Sequence, residues 1–340
     1  MCTAIRLHGE PAFFGRNLDL EYHYNEEVIA TPCGFDFNFR HTVAHGGYSM
    51  LGVGIQLCGY PLYYDAVNEH GLAVAGLNFV SSARYRPPIN GMINLAAFEL
   101  IPYLLSCCKS VAEAKEVLPR VNLTADKFNS QLDAARLHFM LADKNCSLVA
   151  EPLDCGMRIY DNPYDVLTNE PPFDFHTQNL TLFRGMSAEE PDVRICESYP
   201  ERERLPLYPL SRGLGGIGIP GDLSSPSRFI RAAFGRLCSQ KSKSESGALS
   251  QLLHLLGSVA HVEGCVRVGD SFEKTVYTSA VNLNTGTYFV TTYGNPRPTA
   301  YHLSEGASAS RGITCYPIHW DMDIREPRRS VCISTDDEHR

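Results

Sequence analysis

The chain lacks the usual marks of a metal site. It carries 12 cysteines and 12 histidines, yet no Cys-x-x-Cys and no His-Glu-x-x-His occurs, so neither a zinc knuckle nor a zincin is signalled. No cofactor is expected. A basic stripe is missing as well. The net charge is −8, and neutralising phosphates needs clustered Lys and Arg, so nucleic acid does not fit as a partner. The N-terminus has neither the basic region nor the apolar run of a signal peptide. The longest apolar stretch, Met92 to Cys108, is broken by Glu99 and Pro102 and is too short to span a bilayer, so no membrane partner is expected. Cysteines that stand singly, apart from Cys107-Cys108, predict a reducing cytoplasm when no secretory signal precedes them. There is no internal repeat and no low-complexity segment.

What is present fits a globular protein with a sizeable core: 340 residues, 44% hydrophobic and 20% charged. Residues 2–7 and 11–20 read as strands joined by a turn at His8-Gly9-Glu10. The runs 48–58 and 63–79 read as β, the second interrupted by a turn at Asn68-Glu69-His70-Gly71. A helical pattern covers 94–107. The capping box Ser110-Val111-Ala112-Glu113 opens a second helix that stops near Pro119. Strands return at 136–142, 147–151, 156–160 and 165–168. The Pro-, Gly- and charge-rich segment 170–223 reads as long loops with one hairpin. Ser225-Pro226 opens a helix whose apolar face is Phe229, Ile230, Ala233, Phe234 and Leu237. Another helix spans 248–259, followed by a meander of 275–282 and 287–293. Residues 321–340 read as a frayed charged tail. Helices in consecutive pairs between strand groups predict antiparallel sheets with helices packed outside them, not a doubly wound sheet.

The chemistry gathers at the start. Removal of Met1, which a small second residue permits, leaves Cys2 with both a thiol and a free α-amino group. The thiol can attack a carbonyl, and an amine of reference pKa about 7.7–8.0 can take its proton. Arg16 and Asp19 follow a predicted hairpin that folds them back beside Cys2, and a cation there favours thiolate. Four later segments supply residue types suited to amide hydrolysis: Asn78 and Asn169 at strand ends, the turn Gly218-Ile219-Pro220-Gly221-Asp222, and Arg228 in a first helical turn. Singly, each reads as a turn former or a solvated charge.

Together the motifs M-C-T, F-G-R-N-L-D, N-E-H-G-L-A-V-A-G-L-N-F, L-T-N-E-P, G-I-P-G-D and S-R-F-I-R, with Y-T-S-A-V-N-L at 277–283, resemble the choloylglycine hydrolase family of N-terminal nucleophile hydrolases. The resemblance runs from Cys2 to about Tyr293. It implies an α+β fold, a four-layer αββα sandwich of two antiparallel sheets, in one domain over 2–320. It also implies roles. Cys2 is the nucleophile and its α-amino group the base, flanked by Arg16 and Asp19. Asn78 donates to the oxyanion, Asn169 positions the α-amino group and the scissile amide, and Arg228 balances charge around Cys2.

The family holds bile salt hydrolases and penicillin V acylases. Asn78 in G-L-N-F looks like the bile salt branch, which implies conjugated bile salts as substrates; penicillin V or N-acyl homoserine lactones are the alternative. A non-catalytic steroid binder with a decayed site is disfavoured by the intact set. Motif alignment places Leu18, Tyr22, Leu57 and Tyr64 in the substrate slot. The loop Ser211–Gly216 is not a phosphate loop, since no Gly-Lys-Ser/Thr follows. Its glycines permit mobility, and Arg212 offers donors to a taurine sulfonate or a glycine carboxylate. In related enzymes a similar loop crosses a tetramer interface, so the resemblance implies a homotetramer.

Overall fold

The computed structural model describes residues 1–43, 47–191, 212–303 and 312–326. The chain opens with β1 (Cys2–Leu7), β2 (Phe13–Leu20), β3 (Glu27–Thr31), β4 (Met50–Leu57), β5 (Tyr60–Asn68), β6 (Ala73–Asn78) and β7 (Ile93–Ala96). Helices α1 (Leu100–Cys107) and α2 (Val111–Val117) follow, then β8 (Val121–Thr124), β9 (Leu137–Ala142), β10 (Ser147–Leu153), β11 (Gly156–Asp161) and β12 (Val166–Leu167). After α3 (Phe173–Leu180), α4 (Ser225–Cys238) and α5 (Glu245–Gly257) come β13 (Val266–Val268), β14 (Ser271–Asn282), β15 (Thr287–Thr292), β16 (Thr299–His302) and β17 (Thr314–Pro317).

Two antiparallel sheets result. One runs β12-β1-β2-β14-β15-β16, with β13 also on β14; the other runs β11-β10-β9-β6-β5-β4-β3-β17. Helices α4 and α5 pack on β1, and α5 also covers β2 and β14, whereas α1 packs on β5 and β6 and α2 on β10. Strand β1 meets β6 across the sheets. This is the αββα sandwich.

Because both faces of each sheet are covered, strands read as near-continuous apolar runs whose alternate residues enter different cores. In β6, Ala73, Ala75 and Leu77 join the core with Phe13, Met140 and Phe229, while Val74 joins Leu104, Phe139 and Leu141 under α1. Gly15 precedes Arg16 for a steric reason: a Cβ there would collide with the Ser279 carbonyl oxygen on β14.

The helix signals locate α2 and α4 through their caps. Ser110 accepts from Glu113 N and Ser224 accepts from Ser227 N, each satisfying an orphan donor, typically for about 1 kcal/mol. Phe229, Ile230 and Ala233 are buried as predicted, but Leu237 is exposed. The 94–107 helix is corrected. Its first residues form β7, parallel to β8, and a short 3-10 turn precedes α1. Asn94 accepts from Ile89 N and donates to the carbonyls of Ile89 and Met92, which fixes it outside a helix. The 170–223 segment also contains α3, and no hairpin forms among its described residues. Residues 321–326 of the tail are exposed. No helix among the described residues is long and apolar enough to cross a membrane.

Candidate active site

Cys2 pairs with Leu18 and Ala4 with Arg16 across β1 and β2. Residues directly opposite share a face, so Cys2, Arg16 and Leu18 point the same way. Arg16 Nη2 donates to Cys2 Sγ at 2.8 Å, and Nη1 approaches the Tyr277 hydroxyl at 3.4 Å and Asp65 Oδ2 at 3.6 Å. Asp65 is buried on β5 and accepts from Tyr277 (2.7 Å), Ser279 Oγ (2.9 Å) and Tyr288. Burial alone would lower the Arg16 pKa, but the Cys2 sulfur, Tyr277 and Asp65 outweigh it and the net shift is upward. Burial and then Asp65 push both tyrosines well above the usual phenol range. They therefore stay protonated and donate. A locked cation against a sulfur is the setting a nucleophilic thiolate needs.

The main chain of Cys2 is gripped from the other side. Its N–H donates to Asn169 Oδ1 at 2.9 Å, and the same oxygen accepts from Arg228 Nη2 at 2.7 Å. Arg228 Nη1 donates to Cys2 O and to Thr3 Oγ1, both at 2.6 Å, and Nε donates to Leu223 O at 3.0 Å. Burial lowers the Arg228 pKa against the pull of Asp19, Cys2 and Glu273. Asn169 Nδ2 donates to Asn78 O at 2.9 Å, so the two strand-end asparagines are linked and Asn169 joins them to Cys2. The half-buried Asn78 carboxamide makes no hydrogen bond among the described residues.

Asp19 sits differently from Arg16. Three residues apart in one strand, they face opposite ways. Asp19 lies on the face where Asn17 Nδ2 reaches Leu256 O of α5, accepts from Thr275 Oγ1 at 2.6 Å, and has His261 at 3.9 Å. It reaches the terminus through the backbone: Asp19 N donates to Met1 O at 2.8 Å and Met1 N donates to Asp19 O. Met1 N also donates to Glu273 Oε1 at 2.9 Å.

With that geometry in view, comparison with known proteins is decisive. Residues 2–313 match the sequence model of linear amide C–N hydrolases of the choloylglycine hydrolase family. The chain belongs to the choloylglycine hydrolase family. It is 41% identical over 321 residues to a bile salt hydrolase/transferase of Lactiplantibacillus plantarum, covering 94% of this chain and 97% of the relative. A solved variant of the conjugated bile acid hydrolase from Clostridium perfringens superposes with a TM-score of 0.87 at 30% identity, covering 96% of this chain and all of that one. The penicillin V acylase of Agrobacterium tumefaciens shares the fold, with a TM-score of 0.72 at 19% identity over 94% of each chain. As a member of the choloylglycine hydrolase family, the chain is a hydrolase of linear amide C–N bonds.

In this choloylglycine hydrolase family member the four pocket candidates separate. Leu18 lies beside Cys2, and Tyr64 offers its carbonyl to Arg16 Nη1 at 3.5 Å. Leu57 lines a cavity of about 500 Å³ with Tyr24, Ile55, Ile318 and Trp320. Tyr22 is exposed and lies tilted against Tyr24, with ring centres 4.9 Å apart. Arg212 is exposed, and Ser211 lies outside the described residues. The glycines after Arg212 serve close packing as well as turning: Gly216 N donates to Ser187 O at 2.7 Å, and a Cβ on Gly215 would strike the Ala188 carbonyl.

Several residues here escape motif reading: Asp65, His138, Glu151, His176, Ser225 and Glu273. The signal that finds them is an ionisable residue inside an otherwise apolar strand, as with Asp65 in β5, His138 in β9 and Glu151 in β10.

Proposed function

We propose that the chain hydrolyses the amide bond of glycine- or taurine-conjugated bile salts, with Cys2 as nucleophile after removal of Met1. One observation carries this reading: Sγ of Cys2 lies 2.8 Å from a buried guanidinium while its nitrogen lies 2.9 Å from Asn169 Oδ1. Once Met1 is cleaved, that nitrogen is an amine on the same residue as the thiol. The amine takes the thiol proton, and sulfur attacks the amide carbon. The resulting oxyanion receives hydrogen bonds from Asn78, a donor worth about 2.7–4 kcal/mol, or 10²–10³ in rate. The ammonium then protonates the departing glycine or taurine nitrogen. A water that gives its proton to the amine next hydrolyses the thioester, releasing bile acid and free thiol. Arg16 holds negative charge on sulfur; Asn169 and Arg228 hold the amine in place, and Asp19 balances the charge of Arg228.

The substrate class rests on the names of the relatives, on Asn78, and on a cavity of suitable size lined by Leu57, Tyr24 and Trp320 together with Glu26, Glu27 and Gln56. Leu18, paired with Cys2, Tyr64, whose carbonyl faces Arg16, and Tyr22, beside the cavity-lining Tyr24, are assigned to the same substrate slot. Arg212 is assigned to the anionic end of the conjugate and favours the sulfonate; a neighbouring subunit of a homotetramer completes that part of the site. The enzyme works in the cytoplasm, where its thiols stay reduced.

A parallel assay on glycocholate, taurocholate and penicillin V tests the substrate. Cleavage of penicillin V alone would overturn it. Intact mass showing loss of Met1, and abolition of hydrolysis in Cys2→Ser, test the nucleophile. An unchanged ratio of taurine to glycine turnover in Arg212→Ala removes the Arg212 assignment.

A further inference from the structure

The backbone of Thr168–Asn169 is held by two imidazoles on consecutive carbonyls. His138 Nε2 lies 2.9 Å from Thr168 O and His176 Nε2 lies 2.8 Å from Asn169 O. A carbonyl oxygen carries no hydrogen, so both Nε2 atoms donate. His138 is fully buried on β9, stacked on Phe79 with ring centres 4.2 Å apart. Its Nδ1 lies 3.0 Å from Oε1 of the equally buried Glu151, which also accepts from Phe173 N at 3.0 Å. With Nε2 already protonated, one further proton lies between Nδ1 and Oε1. His138 thus spans a carbonyl and a carboxylate in a single rigid ring.

Its location gives this pair a role. In β9, His138 pairs with Leu77, and the adjacent Leu137 pairs with Asn78. The same imidazole therefore sits beside the strand that carries Asn78 and braces the segment that carries Asn169. The bond from Asn169 Nδ2 to Asn78 O closes the circuit. A buried His–Glu pair adds little net stability over an apolar alternative, so its presence calls for another function. We propose that His138, fixed by Glu151, is a positioning residue for the hydrolysis: by holding the Thr168 carbonyl it sets Asn169 Oδ1 against the Cys2 nitrogen and keeps the two asparagines in register. This rests on Cys2 being the nucleophile. A displacement of about 1 Å at such a group costs about 10²-fold in rate.

The test compares His138→Phe, which keeps the ring stack but loses both contacts, with His138→Gln, whose amide can still donate to Thr168 O. In the Phe variant we expect kcat on the preferred conjugate to fall about 10²-fold with KM little changed, and Gln to restore at least about tenfold of that loss. The pH midpoint of Cys2 alkylation by iodoacetamide, read without substrate, moves by about half a pH unit in Phe and stays near wild type in Gln, because Asn169 no longer holds the amine. A folded Phe variant with wild-type kcat and midpoint overturns the proposal. If that variant fails to fold, Glu151→Gln serves in its place, with an expected loss of about tenfold in kcat; an unchanged kcat overturns the proposal equally. Wild-type enzyme in which alkylation of Cys2 leaves hydrolysis intact refutes the nucleophile reading itself, and the positioning role falls with it. If alkylation abolishes hydrolysis while the variants behave as wild type, only the positioning role falls.

Discussion

Cys2 lies between two arginines, each almost wholly buried, and the two are held in opposite ways. Arg16 comes from a strand and lies between the sheets, where its partners, apart from the Tyr64 carbonyl at 3.5 Å, are side chains: the Cys2 sulfur, Tyr277 and Asp65. Arg228 comes from a helix, and its donors go to the carbonyls of Cys2 and Leu223, to Thr3 Oγ1 and to Asn169 Oδ1. Burial pulls both pKa values down. At Arg16 the sulfur and the acidic partners win and the shift is upward; at Arg228 burial wins. In the proposed mechanism Arg16 thus supplies charge to the sulfur, whereas Arg228 supplies geometry to a backbone.

The sharpest way to break this contrast is Arg16→Met. It removes the donor at sulfur and leaves Asp65 a buried carboxylate among hydroxyls. We expect kcat/KM to fall by about 10³-fold or more and stability by about 3–5 kcal/mol in urea unfolding. A loss under tenfold would remove Arg16 from its assigned role. Arg228→Gln should cost less, about 10²-fold and mainly in kcat, because the amide retains one of the donors. The rate of Cys2 alkylation separates the two. It drops in Arg16→Met and is largely kept in Arg228→Gln; equal drops would erase the distinction between charge and geometry. Asp65→Asn is milder still, with an expected loss of about tenfold in kcat/KM, since the isostere keeps the tyrosines in place and only weakens the anchoring of Arg16.

The two sides also differ in how readily they show in the sequence. Cys2, Arg16, Asn78, Asn169 and Arg228 sit in local motifs, and the fold brings all five together. The opposite facing of Arg16 and Asp19 is itself readable, because strand side chains alternate and the two are three apart. Capped helices such as α2 and α4 announce their starts. Strand β7 does not, because its partner β8 lies beyond two helices and the pairing spans only four residues. Helix α3 follows two prolines in a segment whose composition reads as loop. The supporting polar groups are the least visible. Asp65 meets Tyr277 and Tyr288 across more than two hundred residues, and no local pattern encodes such a pairing.

The smallest effect on activity, and the most specific to the Asn169 side, concerns His176. Burial lowers its pKa from 6.5 to about 4, so the fold holds it neutral while it donates to Asn169 O. A base whose folded pKa is depressed contributes stability above its unfolded pKa and loses that stability as pH falls. Here the loss runs from about pH 6.5 down to about pH 4, and amounts to on the order of 2–3 kcal/mol. Carboxylates held below their usual range, such as Asp222 at about 2, act in the same direction but mostly below pH 4.5. Burial raises the pKa of the Glu26 and Glu99 carboxyls, which act in the opposite direction but are common to wild type and variant, so the difference between the two isolates His176. His176→Gln keeps a donor toward Asn169 and removes the titration. Its melting temperature should fall less between pH 6.5 and 4.5 than that of the wild type, by roughly 4 °C, with activity at pH 7 within about threefold of wild type. The Arg16 side has no neutral imidazole of this kind among the described residues, so Asp65→Asn should leave the pH slope in this interval unchanged. Parallel slopes in wild type and His176→Gln would show that Asn169 is held without a neutral imidazole.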